Sequence, residues 1–185
     1  MRVVISFLLA TACSHAASGG AQLFEAIRTN DEKAVAALLD SADAANLRTP
    51  QGATPLMLAA LHASPAMMKR LLDRGADVNV RNPFGATALM WAAGDPAKVK
   101  LLLERGADVN AKSNSGRTAL MIASATAGNA ESLRLLLAKG ADPKIVDANG
   151  DGPLGNAASA ADPKMIQVLL AAGASVNERG NRGPA

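Results

Sequence analysis

Cysteine is all but missing from this chain: the single one, Cys13, lies near the N-terminus, so no intrachain disulfide can form and stability has to come from packing. Histidine is nearly as scarce, with His62 the only one after residue 15. Without a cysteine beside it, His62 supports neither a His/Cys metal site nor a Ser/His or Cys/His dyad, and it reads as a surface helix residue. Aromatic residues make up 2%, and beyond the first twenty positions they are Phe24, Phe84 and Trp91 alone. The formal net charge is only +3, with acids and bases alternating along the chain. With neither a basic run nor aromatic platforms, the chain lacks the features that nucleic-acid binding uses. The apolar content of 49% is therefore mostly alanine and leucine, as closely spaced helix pairs require.

What is present is a repeat. The segment G-A-D-V-N occurs at Gly75 to Asn79 and Gly106 to Asn110, with looser copies at Gly140 to Lys144 and Gly173 to Asn177, so the leading glycines lie 31, 34 and 33 residues apart. A second landmark, G-x-[TG]-[PA]-L, begins at Gly52, Gly85, Gly116 and Gly150 and keeps the same beat. A period near 33 means that contacts run between neighbouring units rather than around one centre. Thr54-Pro55, Thr87-Ala88, Thr118-Ala119 and Gly152-Pro153 predict the start of a first helix in each unit. Asp31-Glu32, Ser64-Pro65, Asp95-Pro96, Asn129-Ala130 and Asp162-Pro163 predict the start of a second. Gly75, Gly106, Gly140 and Gly173 then end the leucine runs in a conformation that costs glycine no Cβ clash. The expected apolar spine is Leu71, Leu72, Leu101 to Leu103, Leu135 to Leu137, Leu169 and Leu170, joined by Leu56, Leu89, Leu120 and Leu154.

These landmarks resemble the ankyrin repeat, whose pattern runs D-x-x-G-x-T-P-L-H-x-A and, after a second helix, L-L-x-x-G-A-D-V-N. The resemblance covers the chain from about Ala21 onward. It implies an all-α fold, a solenoid of stacked helix-turn-helix units with a projecting β-turn finger on each, and a protein-binding scaffold without chemistry of its own. The units are expected at about 21–48, 49–81, 82–112, 113–146 and 147–179, with Gly183 opening an incomplete sixth. That opening suggests a polypeptide continuing past Ala185, so an alternative reading makes this the N-terminal region of a larger exported enzyme or electron-transfer protein. Where the family has histidine after T-P-L, this chain has Met57, Met90, Met121 and Gly155. The methionines either pack between units or form an adaptable stripe on the inner surface.

Arg2 followed by the apolar run Val3 to Ala12 reads as the signal peptide of a bacterial protein, secreted or periplasmic, with a cut after Ser14-His15-Ala16 and a flexible lead-in over 17–20. Leu9 to Cys13 also loosely resembles a lipobox, which would lipidate Cys13 and tether the chain to a membrane.

Two further patterns bear on chemistry. Gly150 to Gly155 matches G-x-G-x-x-G, but it sits at the repeat's own opening turn instead of following a buried strand. Asp77, Asp108 and Asp142 recur at one place in G-A-D, so they read as turn formers rather than catalytic carboxylates. No cofactor, metal or small-molecule substrate is expected. The binding candidates are Phe84, a large apolar residue at a turn tip, Trp91 at a mostly internal helix position, Arg117 beside the next turn, and Met57, Met90 and Met121. They point to a protein partner, whose identity the residues do not specify.

Overall fold

The computed structural model describes residues 19–39 and 42–176. The leader over 1–16, its cleavage after Ala16, Cys13 and the opening of a sixth unit at Gly183 all lie outside the described residues. The chain divides into two compact units between Asp77 and Val78.

In the first unit, helix α1 covers 19–28, so Gly19 and Gly20 are helical where a lead-in was expected. Helices α2 (Glu32–Leu38), α3 (Ala42–Ala45), α4 (Pro55–His62) and α5 (Pro65–Asp73) follow. Leu23, Ile27, Leu39, Leu56, Met57, Met67, Met68 and Leu71 are its largest fully buried side chains. Full burial of such a side chain contributes about 1.5–3 kcal/mol, more than the ~1 kcal/mol of a helix cap, so packing dominates. Asn30, at φ 54°, ends α1, and its Oδ1 accepts the Ser64 N–H at 2.9 Å. The Arg74 guanidinium donates to the Leu39 carbonyl.

The second unit holds α6 (Ala88–Trp91), α7 (Pro96–Glu104), α8 (Ala119–Ser124), α9 (Ala130–Ala138), α10 (Pro153–Ser159) and α11 (Pro163–Ala171). First helices pack on first helices, α6 on α8 and α8 on α10, while α7, α9 and α11 pack in sequence as a second layer. Leu89, Leu102, Leu120, Met121, Leu133, Leu136, Met165 and Leu169 are fully buried in its core. The spine is narrower than the leucine runs suggested. Leu71, Leu102, Leu136 and Leu169 are fully buried, whereas Leu72, Leu101, Leu135, Leu137 and Leu154 are half-buried and Leu170 is exposed. Consecutive residues on a helix point about 100° apart, so one leucine of each run reaches the centre and its neighbours flank it.

Helix punctuation follows the residue chemistry. Thr54, Thr87 and Thr118 Oγ1 accept the amides of Met57, Met90 and Met121 at 3.3, 3.4 and 3.4 Å. Asp31, Asp95 and Asp162 each accept two first-turn amides. Asn129 makes no such bond: it sits at φ −88°, ψ 20° instead of the extended conformation of the other caps, and its Nδ2 donates back to the Ala123 carbonyl at 3.2 Å. Gly75, Gly106, Gly140 and Gly173 all have φ between 83 and 87°. The amides of Ala76, Ala107, Ala141 and Ala174 close onto Leu71, Leu102, Leu136 and Leu169 carbonyls at 3.0 Å.

Neighbouring helix pairs are also tied by an asparagine ladder. Asn46 Nδ2 donates to the Gly75 carbonyl at 2.8 Å while its Oδ1 accepts the Asp77 amide at 2.9 Å. In the second unit Asn79 makes the same pair with Gly106 and Asp108, at 3.0 and 2.8 Å, and Asn110 with Gly140 and Asp142, both at 2.9 Å. One amide side chain thereby satisfies a helix-terminal carbonyl and the amide two residues on.

The fold class needs one correction. The helices are stacked in pairs as expected, but the β-turn fingers are not there: no β-strand occurs among the described residues. The segments between helix pairs are short turns whose amides are largely spent on their own first residue. Single backbone-to-backbone bonds, Asn114 N–H to Phe84 C=O at 2.9 Å and Ala148 N–H to Ser115 C=O at 2.9 Å, join one turn to the next, and one such bond makes no ladder.

Candidate functional site

The turn at Asn82 shows how an exposed side chain is held. Asn82 is buried, and its Oδ1 accepts the amides of Phe84 at 3.0 Å and Ala86 at 2.9 Å. The Gly85 amide donates to the Asn82 carbonyl at 2.8 Å, and the Asn82 amide to the Ala86 carbonyl at 3.0 Å. From the next turn, Asn114 donates its backbone amide to the Phe84 carbonyl and its side chain to the Pro83 carbonyl, the latter at 2.8 Å. Both backbone groups of Phe84 are therefore satisfied, while the residue is 70% exposed. A side chain that contributes nothing to the core stands on a backbone with no polar reason to move.

Gly85 makes this geometry possible. Its φ is 72°, and a Cβ there would lie 2.5 Å from Asn114 Oδ1 and 2.8 Å from both the Asn114 amide and the Arg81 guanidinium. Arg81 in turn donates to the Lys112 carbonyl. Arg81 is thus the site residue that sequence reading missed, its signal faint because it acts on a residue about thirty positions away.

The other expected residues are placed differently. Arg117 is half-buried at the root of the second turn, its amide donating to Ser113 Oγ at 3.1 Å. Trp91 is half-buried at the end of the short helix α6. Met90 and Met121 are buried in the second unit, and Met57 is buried in the first, so none of the three methionines presents an accessible stripe. Asn156 supplies a link between neighbouring first helices: its Nδ2 donates to the Met121 carbonyl at 3.1 Å and joins α10 to α8. Gly150 to Gly155 forms a turn and the start of α10, with no strand before it.

The carboxylate of Asp162 is shifted. The Gly128 amide donates to Asp162 Oδ2 at 2.8 Å, and the Met165 and Lys164 amides donate to Oδ1 at 3.2 and 3.0 Å. These bonds, with Gly128 the strongest and the Lys164 charge adding least, hold it below the ordinary aspartate value. The arrangement braces two loops and is not catalytic. Among the described residues no group of three or more His, Cys, Asp or Glu side chains is placed to hold a metal ion. No helix among them is long and apolar enough to cross a membrane.

The family model described as ankyrin repeats, three copies, matches residues 4–82, 23–113, 63–147 and 94–180. The chain belongs to the ankyrin-repeat family. No curated protein matches it. Ankyrin repeats are non-catalytic interaction modules, and this chain is a protein-binding scaffold of that kind. Within the second unit, the Asn82 to Ala86 turn holds an exposed aromatic side chain on a hydrogen-bonded backbone.

Proposed function

We propose that this ankyrin protein captures a protein partner with Phe84 as its anchor, and that Trp91 and Arg117 border the contact. The observation that carries the reading is Phe84, 70% exposed while its own backbone amide and carbonyl are both hydrogen-bonded. A rigid aromatic loses little conformational freedom on binding, which is why such residues dominate interface energetics. Met57, Met90 and Met121 support the scaffold from within, since their burial takes them off the accessible surface. Phe84→Ala is expected to weaken a captured partner by more than about 1 kcal/mol while barely moving the melting temperature. Equal losses of binding and stability would assign Phe84 to packing instead.

We further propose export from a bacterial cytoplasm, to the periplasm or the medium, on the strength of Arg2 and the apolar run that follows it. Cys13 is then either discarded with the leader or lipidated as the new N-terminus. The intact mass of the protein recovered from cell fractions decides between them: a chain beginning at Ala17, a lipid-bearing chain beginning at Cys13, or an unprocessed cytoplasmic chain that refutes export.

A further inference from the structure

The turn that carries Phe84 and the turn beside it share one sign of charge. Residues 81–86 and 112–117 contain Arg81, Lys112 and Arg117 and no acidic residue. The two turns form a single surface, because Arg81 reaches the Lys112 carbonyl and Asn114 binds the Pro83 and Phe84 carbonyls. Arg81 and Lys112 are exposed and Arg117 is half-buried. Asp108, four positions before Lys112, directs its Oδ1 to the Asn110 amide at 3.0 Å. The third turn is opposite in sign, with Asp147 and Asp151, and the Ala148 amide ties it to Ser115. A basic platform with one aromatic residue standing on it therefore stops abruptly at an acidic border.

We propose that the partner is an acidic peptide segment, one apolar side chain seated against Phe84 and flanking carboxylates over Arg81, Lys112 and Arg117. This rests on the reading of Phe84 as the anchor and adds the chemistry of what it holds. Charge complementarity over a few residues sets register and rejects partners of the wrong sign. A nucleic acid fits less well, because a continuous phosphate backbone would run onto Asp147 and Asp151, and the single aromatic offers no stacking series.

The test presents the full chain to a display library of short linear peptides of unbiased composition, then titrates synthetic copies of the enriched peptides against variants. The expected winners are net-negative and carry at least one leucine, isoleucine or aromatic residue. Their affinity is expected to fall about tenfold in Lys112→Glu with Arg117→Glu, a variant whose melting temperature shows that it is folded, and to fall with added salt. Neutral or basic winners that still depend on Phe84 would overturn the acidic partner and leave the anchor standing. Acidic winners indifferent to Phe84→Ala would overturn the anchor and this proposal with it. A single-stranded oligonucleotide that competes them off at equal concentration would replace the peptide with a nucleic acid. Failure to enrich any sequence would count against both readings.

Discussion

The turn at Asn82 and the turn at Asp147 are built alike and finished differently. In each, the first side chain accepts the amides two and four residues on, at 3.0 and 2.9 Å for Asn82 and at 2.8 and 3.1 Å for Asp147. In each, a glycine amide donates to the first carbonyl, at 2.8 Å from Gly85 and 3.0 Å from Gly150. Yet one tip offers Phe84 beside Arg81, and the other offers Asn149 between Asp147 and Asp151. The frame is set by the first and fourth residues, and the third is left free. On the proposed reading, structure and recognition fall to different positions of the same short turn, so the tip can change without risk to the stack.

The comparison breaks most severely at the fourth residue. Gly85→Ala combines left-handed strain of about 1–2 kcal/mol with the contacts at Asn114 and Arg81. It is expected to destabilise the chain by roughly 2 kcal/mol or more in denaturant unfolding, a cost that includes the overpacking. Gly106→Ala has a similar φ of 83° but open space around the new methyl group, and is expected to cost only about 1 kcal/mol. Equal losses would show that the crowding at Gly85 is relieved by movement of Asn114. The first residue comes next: Asn82→Ala and Asp147→Ala each strip two amides of their acceptor and are expected to cost about 1–2 kcal/mol apiece. Matching losses would support the equivalence of the two frames, and a wide difference would deny it.

The smallest effect is an acid one and concerns a carboxylate that braces loops instead of shaping a tip. Because the folded-state pKa of Asp162 is lowered, its contribution is fully present above the unfolded value and is lost as pH falls below about 3.8, through the folded value. Asp162→Asn is therefore expected to flatten the acid limb of a thermal stability profile and leave its shape near neutral pH unchanged. An acid limb identical to wild type would remove Asp162 from the account.

Much of the helical frame was legible in the sequence, because it rests on local rules. Ser64-Pro65 or Asp162-Pro163 starts a helix by its own chemistry, and Gly106 ends one by its own backbone freedom. Asn129 had the right residue type for a cap, but the longer connection before it leaves its backbone outside the extended region. The asparagine ladder escaped notice because Asn46, Asn79 and Asn110 act across a repeat, where composition and periodicity carry no directional information. The β-turn fingers were expected from family likeness, and they fail because Asn82, Ser113 and Asp147 capture amides that a strand ladder would have used. At the site, Phe84 was visible as an odd residue at a turn tip. For Met57, Met90 and Met121 the sequence left packing and an accessible stripe both open, and their burial decides for packing.

Exchanging the two tips tests the division between frame and contact most directly. The chain carrying Phe84→Asn together with Asn149→Phe would be titrated with the peptides enriched on the wild type. The account predicts at least a tenfold loss of affinity in a chain that unfolds within about 0.5 kcal/mol of wild type, because the ring then stands between Asp147 and Asp151. Undiminished affinity in that folded chain would contradict it.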